Sequence, residues 1–183
     1  MTNIITESDQ RHYSVAIPII DEKNLLFQVR SDKLTQQPGD ICFPGGAVEK
    51  GESPEAAVIR EMMEELLITE EKINLQREEF ILINDPAIIH CFSCCINGFA
   101  GGLNPEEVSE VFTVPLSFFE NTAPKIYEVG WNPVFPEDFP FDKIQGGRNY
   151  GWRPRISKIR FYEYEGRVIW GMTARIIENY VMR

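Results

Sequence analysis

The sequence predicts an α+β domain, a layered α/β/α arrangement with helices packed over a sheet. Three observations predict it. Several strand-like apolar runs are separated by short turn signals. One capped amphipathic helix stands in the first half, and a second ends the chain. The length of 183 residues suits one globular unit, taken as 1–183, with 43% hydrophobic residues available for its core.

The elements follow in order. Residues 12–20 and 25–30 form a hairpin around Asp21-Glu22-Lys23-Asn24. Residues 31–40 are polar and contain Pro38-Gly39, a loop. The short run Ile41-Cys42-Phe43 leads to a sharp turn at Pro44-Gly45-Gly46. A helix over 54–66 starts with Ser53 as N-cap and Pro54 in its first turn. At about 100° per residue, Ile59, Met62, Met63 and Leu66 form the stripe expected to pack, with Ala57, Glu61, Glu64 and Glu65 outward. Further strands are expected at 80–84, 88–98, 107–114 and 125–129. A last hairpin, 158–164 with 168–170, turns at Glu165-Gly166, and a terminal helix covers 172–181. The long stretch between Gly130 and Pro154 is rich in aromatic residues. It reads as a loop packed on itself rather than a base-stacking lid, with Arg148, Arg153 and Arg155 as nearby phosphate candidates.

Charge excludes some partners. With 28 acidic and 18 basic residues the net charge is −10, opposite to what nucleic acid or an anionic membrane surface attracts. No apolar run approaches the roughly 18–20 residues that span a bilayer. Residues 1–10 lack the order of a signal peptide and read as a flexible lead. The expected compartment is cytoplasmic. Cys91, Cys94 and Cys95 crowd beside His90, yet lie in a run that reads as a buried strand; core packing is favoured there over zinc.

The chemistry concentrates between Gly46 and Ile68. Glu61 and Glu65 are one helical turn apart with Glu64 beside them. Three carboxylates so close repel one another without a cation, and oxygen donors at that density suit Mg²⁺ or Mn²⁺. Arg60 can balance the excess charge, Glu52 can lean over the helix start, and the bare backbone of Gly46 offers a carbonyl. Taken alone, an acidic helix face is more often merely solvated.

The offsets decide otherwise. Gly46, Glu52, Arg60, Glu61, Met62, Glu64, Glu65 and Ile68 fall in register with the signature of the Nudix hydrolases, which this segment (46–68) resembles. One position departs: Leu67 stands where the family has the glycine that ends the helix in a left-handed conformation, so a longer helix or a rebuilt loop is expected. The resemblance implies a Nudix fold with a mixed central sheet and a catalytic loop-helix-loop. It implies a metal-dependent hydrolase of nucleoside diphosphates linked to another group. Glu61 and Glu65 are then metal ligands, with Glu64 and Gly46 completing the set. Glu64 doubles as a candidate base beside Arg60 and Glu52, and a later loop supplies Glu107 or Glu110 as alternatives.

A second stretch narrows the substrate. Arg30, Ser31, Gly39 and Phe43 to Gly46 are similar to the extra motif of the coenzyme A pyrophosphatase-like subgroup, with Thr35 in place of its second arginine. Resemblance to that subgroup extends to residues 111–116 and 169–174. It implies cleavage of coenzyme A to adenosine 3′,5′-bisphosphate and 4′-phosphopantetheine, with Arg30, Ser31, Lys33 and Thr35 binding substrate. Other Nudix substrates (ADP-ribose, a dinucleotide, a nucleoside triphosphate) are the alternative. A silent nucleotide-sensing domain is disfavoured because the motif carboxylates are all present. A homodimer is compatible with these expectations.

Overall fold

The computed structural model describes residues 10–84 and 86–182; the expected flexible lead falls almost wholly outside them. Ten strands and three α-helices are described. They are β1 (Arg11–Ile20), β2 (Asn24–Arg30), β3 (Ile41–Cys42), β4 (Gly45–Ala47), α1 (Pro54–Leu66), β5 (Ile73–Asn84), β6 (Ala87–Ile96), β7 (Val108–Pro115), α2 (Leu116–Asn121), β8 (Lys125–Trp131), β9 (Arg155–Tyr164), β10 (Arg167–Trp170) and α3 (Gly171–Val181).

Seven strands form a mixed sheet whose central path is β3-β2-β1-β6-β5, with β4 added on β1 and β7 on β2. The β1–β6 pair is parallel, running from Arg11↔Ala87 to Ile19↔Cys95. The other edge of β1 is shared: β4 pairs with residues 13–15 and β2 with residues 19–20, both antiparallel. Strands β8, β9 and β10 make a separate antiparallel sheet. The strands at 80–84 and 107–114 were therefore legible in part, whereas the division into two sheets was not expected.

Strand alternation sorts the core into two layers. Ala16, Leu26, Phe92 and Cys94 face α1 and pack on Val58, Met62 and Leu66. Ile17, Leu25, Phe27 and Cys91 face the opposite way, toward Phe119 of α2, Tyr162 of β9 and Ile176 and Ile177 of α3. Cys91 and Cys94 are thus buried on opposite faces of β6, and Cys94 Sγ rests 3.7 Å from Met62 Sδ, as core packing requires. Between β8 and β9, Phe135 packs on Phe139 at 4.7 Å and on Trp152 at 5.0 Å between centroids, the self-packed loop expected there. No helix among the described residues is long and apolar enough to cross a membrane.

Helix α1 has the expected limits, and its start is capped by Ser53 Oγ accepting from Ala56 N–H at 3.2 Å. Two expectations need correction. The packed stripe is rotated: Ala57, Val58 and Glu65 are buried with Met62 and Leu66, while Met63 is exposed. The Ala57–Glu61–Glu65 row lies toward β4, whose glycines let the helix come close. Nor does the helix lengthen at its end. Leu67 itself takes the left-handed conformation, φ 49°, with its side chain in solvent.

Candidate active site

The turn expected at Pro44-Gly45-Gly46 is β4, paired to β1, and it brings backbone against the acidic flank of α1. Gly45 N–H donates to Glu65 Oε2 at 2.9 Å. Gly46 is tighter still: a Cβ there would lie 2.3 Å from Glu61 Oε1, so only glycine leaves room for that carboxylate. From β2, Gln28 Nε2 donates to Glu65 Oε1 at 2.8 Å. Glu65 is 3% exposed, and burial pushes its carboxyl up to about 7 despite both donated hydrogen bonds. Glu61 is also raised, again mainly by burial, with Arg60 opposing.

The third carboxylate comes from the loop before β7. Asn104 N–H donates to the Glu65 carbonyl at 2.9 Å, pinning that loop to the end of α1. Asn104 Nδ2 donates to Glu107 Oε1 at 3.1 Å, and Ser31 N–H to the Glu107 carbonyl at 2.8 Å. Oxygens of Glu61, Glu65 and Glu107 then lie within 4.8 Å of one another. Three converging carboxylates, two of them with pKa values pushed above the ordinary range by burial, are a donor set that fits a hard divalent cation.

Arg60 ties the loop to the helix. Its guanidinium donates to Glu52 (3.0 and 3.2 Å), the Ala47 carbonyl (3.0 Å), Glu61 (2.8 Å) and Glu64 (3.2 Å). Glu52 also accepts from Glu49 N–H at 3.0 Å, and these donors hold its carboxyl below the ordinary range.

Not every residue expected at the site is gathered there. Glu64 is half exposed on the rim, bonded to Arg60, and stands outside the three-carboxylate group. Glu110 lies on the opposite face of the sheet from the carboxylate group. It is registered with Val29, next to the Gln28–Val111 pair that faces α1, so alternation turns it toward β10. There it pairs with Arg167 at 2.6 and 3.0 Å. On the 31–39 loop, Ser31 Oγ donates to the Pro105 carbonyl at 3.1 Å and is buried. Lys33 pairs with Glu106 at 2.5 Å, Arg30 donates to the Gln36 carbonyl at 3.3 Å, and Thr35 is exposed. Sequence reasoning missed Gln28 and Asn104. The signal for Gln28 was an amide inside the apolar run Leu25-Leu26-Phe27-Gln28-Val29.

The NUDIX domain model matches residues 10–129 of this chain, most of its length. The chain belongs to the NUDIX domain family. Its fold agrees with that of Nudix structures: DR0079 of Deinococcus radiodurans superposes with a TM-score of 0.52 at 20% identity, over 64% of this chain and 77% of that one. A Caenorhabditis elegans Ap4A hydrolase gives 0.50 at 20% identity, over 57% and 80%. In sequence, the chain is 31% identical over 121 residues to the mouse peroxisomal coenzyme A diphosphatase NUDT7, covering 63% of this chain and 50% of that protein. It is 32% identical over 113 residues to the C. elegans peroxisomal coenzyme A diphosphatase ndx-8, covering 56% and 46%. The uncharacterized Nudix hydrolase NudL of Photorhabdus laumondii is 28% identical over 176 residues, 93% of this chain and 83% of that one. The chain thus spans about half the length of the two coenzyme A diphosphatases.

Proposed function

We propose that this Nudix hydrolase cleaves the pyrophosphate bond of coenzyme A or a derivative, releasing adenosine 3′,5′-bisphosphate and 4′-phosphopantetheine or its acyl form. Support comes from two relatives named coenzyme A diphosphatases and from the Arg30–Gly46 extension that leads into the catalytic loop. The observation that carries the hydrolytic part is the meeting of Glu61, Glu65 and Glu107 beside Gly46. These three carboxylates would hold Mg²⁺ or Mn²⁺, with Glu107 in the place first expected for Glu64. A divalent cation bound there supplies positive charge against the pyrophosphate and acidifies an attacking water. The chain's own part is placement. Gln28 and Gly45 N–H fix Glu65, Arg60 aligns Glu61 and braces the loop through Glu52, and Ser31 and Asn104 hold the loop that carries Glu107. The 31–39 loop, joined to Glu107 through Ser31, presents Arg30, Lys33 and Thr35 to the substrate's nucleotide end.

One observation favours a second reading within the family, another nucleoside diphosphate derivative. Lys33 of that loop and Arg30 at the end of β2 are already engaged, Lys33 by Glu106 and Arg30 by a carbonyl, and Thr35 adds no charge. Product analysis by mass spectrometry separates the two. Incubation with coenzyme A, ADP-ribose and diadenosine polyphosphates, each with Mg²⁺ and with Mn²⁺, is expected to show 4′-phosphopantetheine and adenosine 3′,5′-bisphosphate, abolished by chelator. Intact coenzyme A beside cleaved ADP-ribose would decide for the second reading.

A further inference from the structure

Behind the catalytic loop, β1 and β6 bring together the chain's two histidines. In the parallel register His90 is beside Ser14 and His12 beside Ile88, a two-residue offset that puts both rings on one face. The rings meet edge to edge, with centroids 5.3 Å apart and planes inclined by 22°, and His12 Nδ1 faces His90 Nε2 at 3.0 Å. The remaining nitrogen of His90, Nδ1, is bonded to the Glu78 carboxylate of β5 at 2.6 Å. Both histidines line a cavity of about 680 Å³. Gln10, on the same wall, has its Oε1 buried without a hydrogen-bond partner among the described residues.

We propose that the His12–His90 pair is a second metal site, taking a borderline cation of the Zn²⁺ kind and separate from the glutamate cluster. The argument begins at Glu78. A carboxylate on Nδ1 makes that nitrogen the N–H and leaves Nε2 of His90 as a lone pair. This lone pair is aimed at a ring nitrogen of His12, and the contact is favourable only with a proton or a cation between the two. Tetrahedral zinc binds imidazole nitrogen at about 2.0–2.1 Å, which sets two such nitrogens roughly 3.3 Å apart, so the pair needs to open by only a few tenths of an ångström. The cavity admits water as further ligand, and the orphaned Gln10 oxygen lies on its wall. Nitrogen donors also separate this site from the all-oxygen cluster of Glu61, Glu65 and Glu107, which suits harder ions.

The test is calorimetric titration with Zn²⁺, in excess Mg²⁺, of the full chain and of its Glu61→Gln, Glu65→Gln variant, which removes the glutamate donors where Zn²⁺ competes with Mg²⁺. Wild type is expected to bind Zn²⁺ at one site, and Co²⁺ to give a visible ligand-field band there. His12→Asn should weaken Zn²⁺ binding by tenfold or more and remove the band, and Glu78→Gln should weaken it about tenfold through loss of the orienting carboxylate. Glu61→Gln with Glu65→Gln should leave it unchanged. If His12→Asn fails to fold, the imidazole ¹⁵N shifts of wild type give the answer: both histidines must move on adding Zn²⁺. Equal Zn²⁺ binding in wild type and His12→Asn, or ring shifts indifferent to Zn²⁺, would overturn the proposal and leave a proton between the rings.

Discussion

Glu65 is the carboxylate whose environment is set most completely by the fold. Burial lifts it to about 7 from an ordinary 4.5, so the fold favours its protonated form. The sign of the stability effect follows. The contribution is fully present below about pH 4.5 and is lost as pH rises through 7, a cost on the order of 3 kcal/mol in the metal-free protein. A cation on the cluster removes that cost. Thermal melts should therefore show a larger stabilisation by Mg²⁺ at pH 8 than at pH 5, and Glu65→Gln should abolish the difference. A Mg²⁺ effect equal at both pH values would refute the linkage. Leu67 offers a second measurement at this scale. A leucine with φ 49° carries a backbone penalty that its solvent-exposed side chain does little to offset. Leu67→Gly should raise stability in urea by about 0.5–1 kcal/mol with activity retained; a loss would show that the side chain packs.

The catalytic loop and α1 work as one element because Gly45 and Gly46 let them touch, and the two glycines are needed for different reasons. A Cβ on Gly45, where φ is 151°, would sit 2.3 Å from the Ser14 carbonyl, an obstruction made of backbone. A Cβ on Gly46 would instead meet the end of the Glu61 side chain. Gly45→Ala should therefore lower the melting temperature markedly. Gly46→Ala should displace Glu61 and cut kcat by about a hundredfold or more, with a much smaller effect on melting. The reverse ranking would place the metal set elsewhere. The same element shows what the sequence could reveal. The start of α1 was readable from Ser53 and Pro54, and Glu61, Glu65, Arg60 and Glu52 from their spacing, because all of these are local. Which later carboxylate joins them depends on pairing between β2 and β7, some eighty residues apart, and on which side of that pair each residue falls. A difference of three positions sends Glu107 to the cluster and Glu110 to Arg167. Two glycines carry no side-chain alternation, so β4 looked like a turn. The rotation of the buried stripe was hidden for a related reason: a glutamate counts as polar in any helical wheel, yet Glu65 is buried because Gln28 and Gly45 supply its hydrogen bonds.

Across the whole molecule, the central sheet separates two kinds of surface. One face, under α1, holds the carboxylate cluster; the other is closed by α2, α3 and the three-stranded sheet. On the proposed function, a chain with net charge −10 receives a polyanionic substrate on the first face. Arg60 of α1 is taken up by Glu52, Glu61 and Glu64, and the 31–39 loop, which Ser31 joins to Glu107, adds the cation of Lys33. There Lys33 is balanced by Glu106, and both are largely exposed, so the pair contributes little field and less at physiological salt. Thr35 sits on the same loop, exposed and uncharged. If this loop meets the 3′-phosphate of coenzyme A, a new charge at Thr35 acts on that phosphate and on little else. Thr35→Arg should then lower KM for coenzyme A roughly fivefold, about what one exposed charge contributes. KM for 3′-dephospho-coenzyme A should stay unchanged, and the gain should shrink as salt is added. An equal improvement for both substrates would mean the arginine acts on the pyrophosphate instead, and the loop would lose its role in selecting coenzyme A.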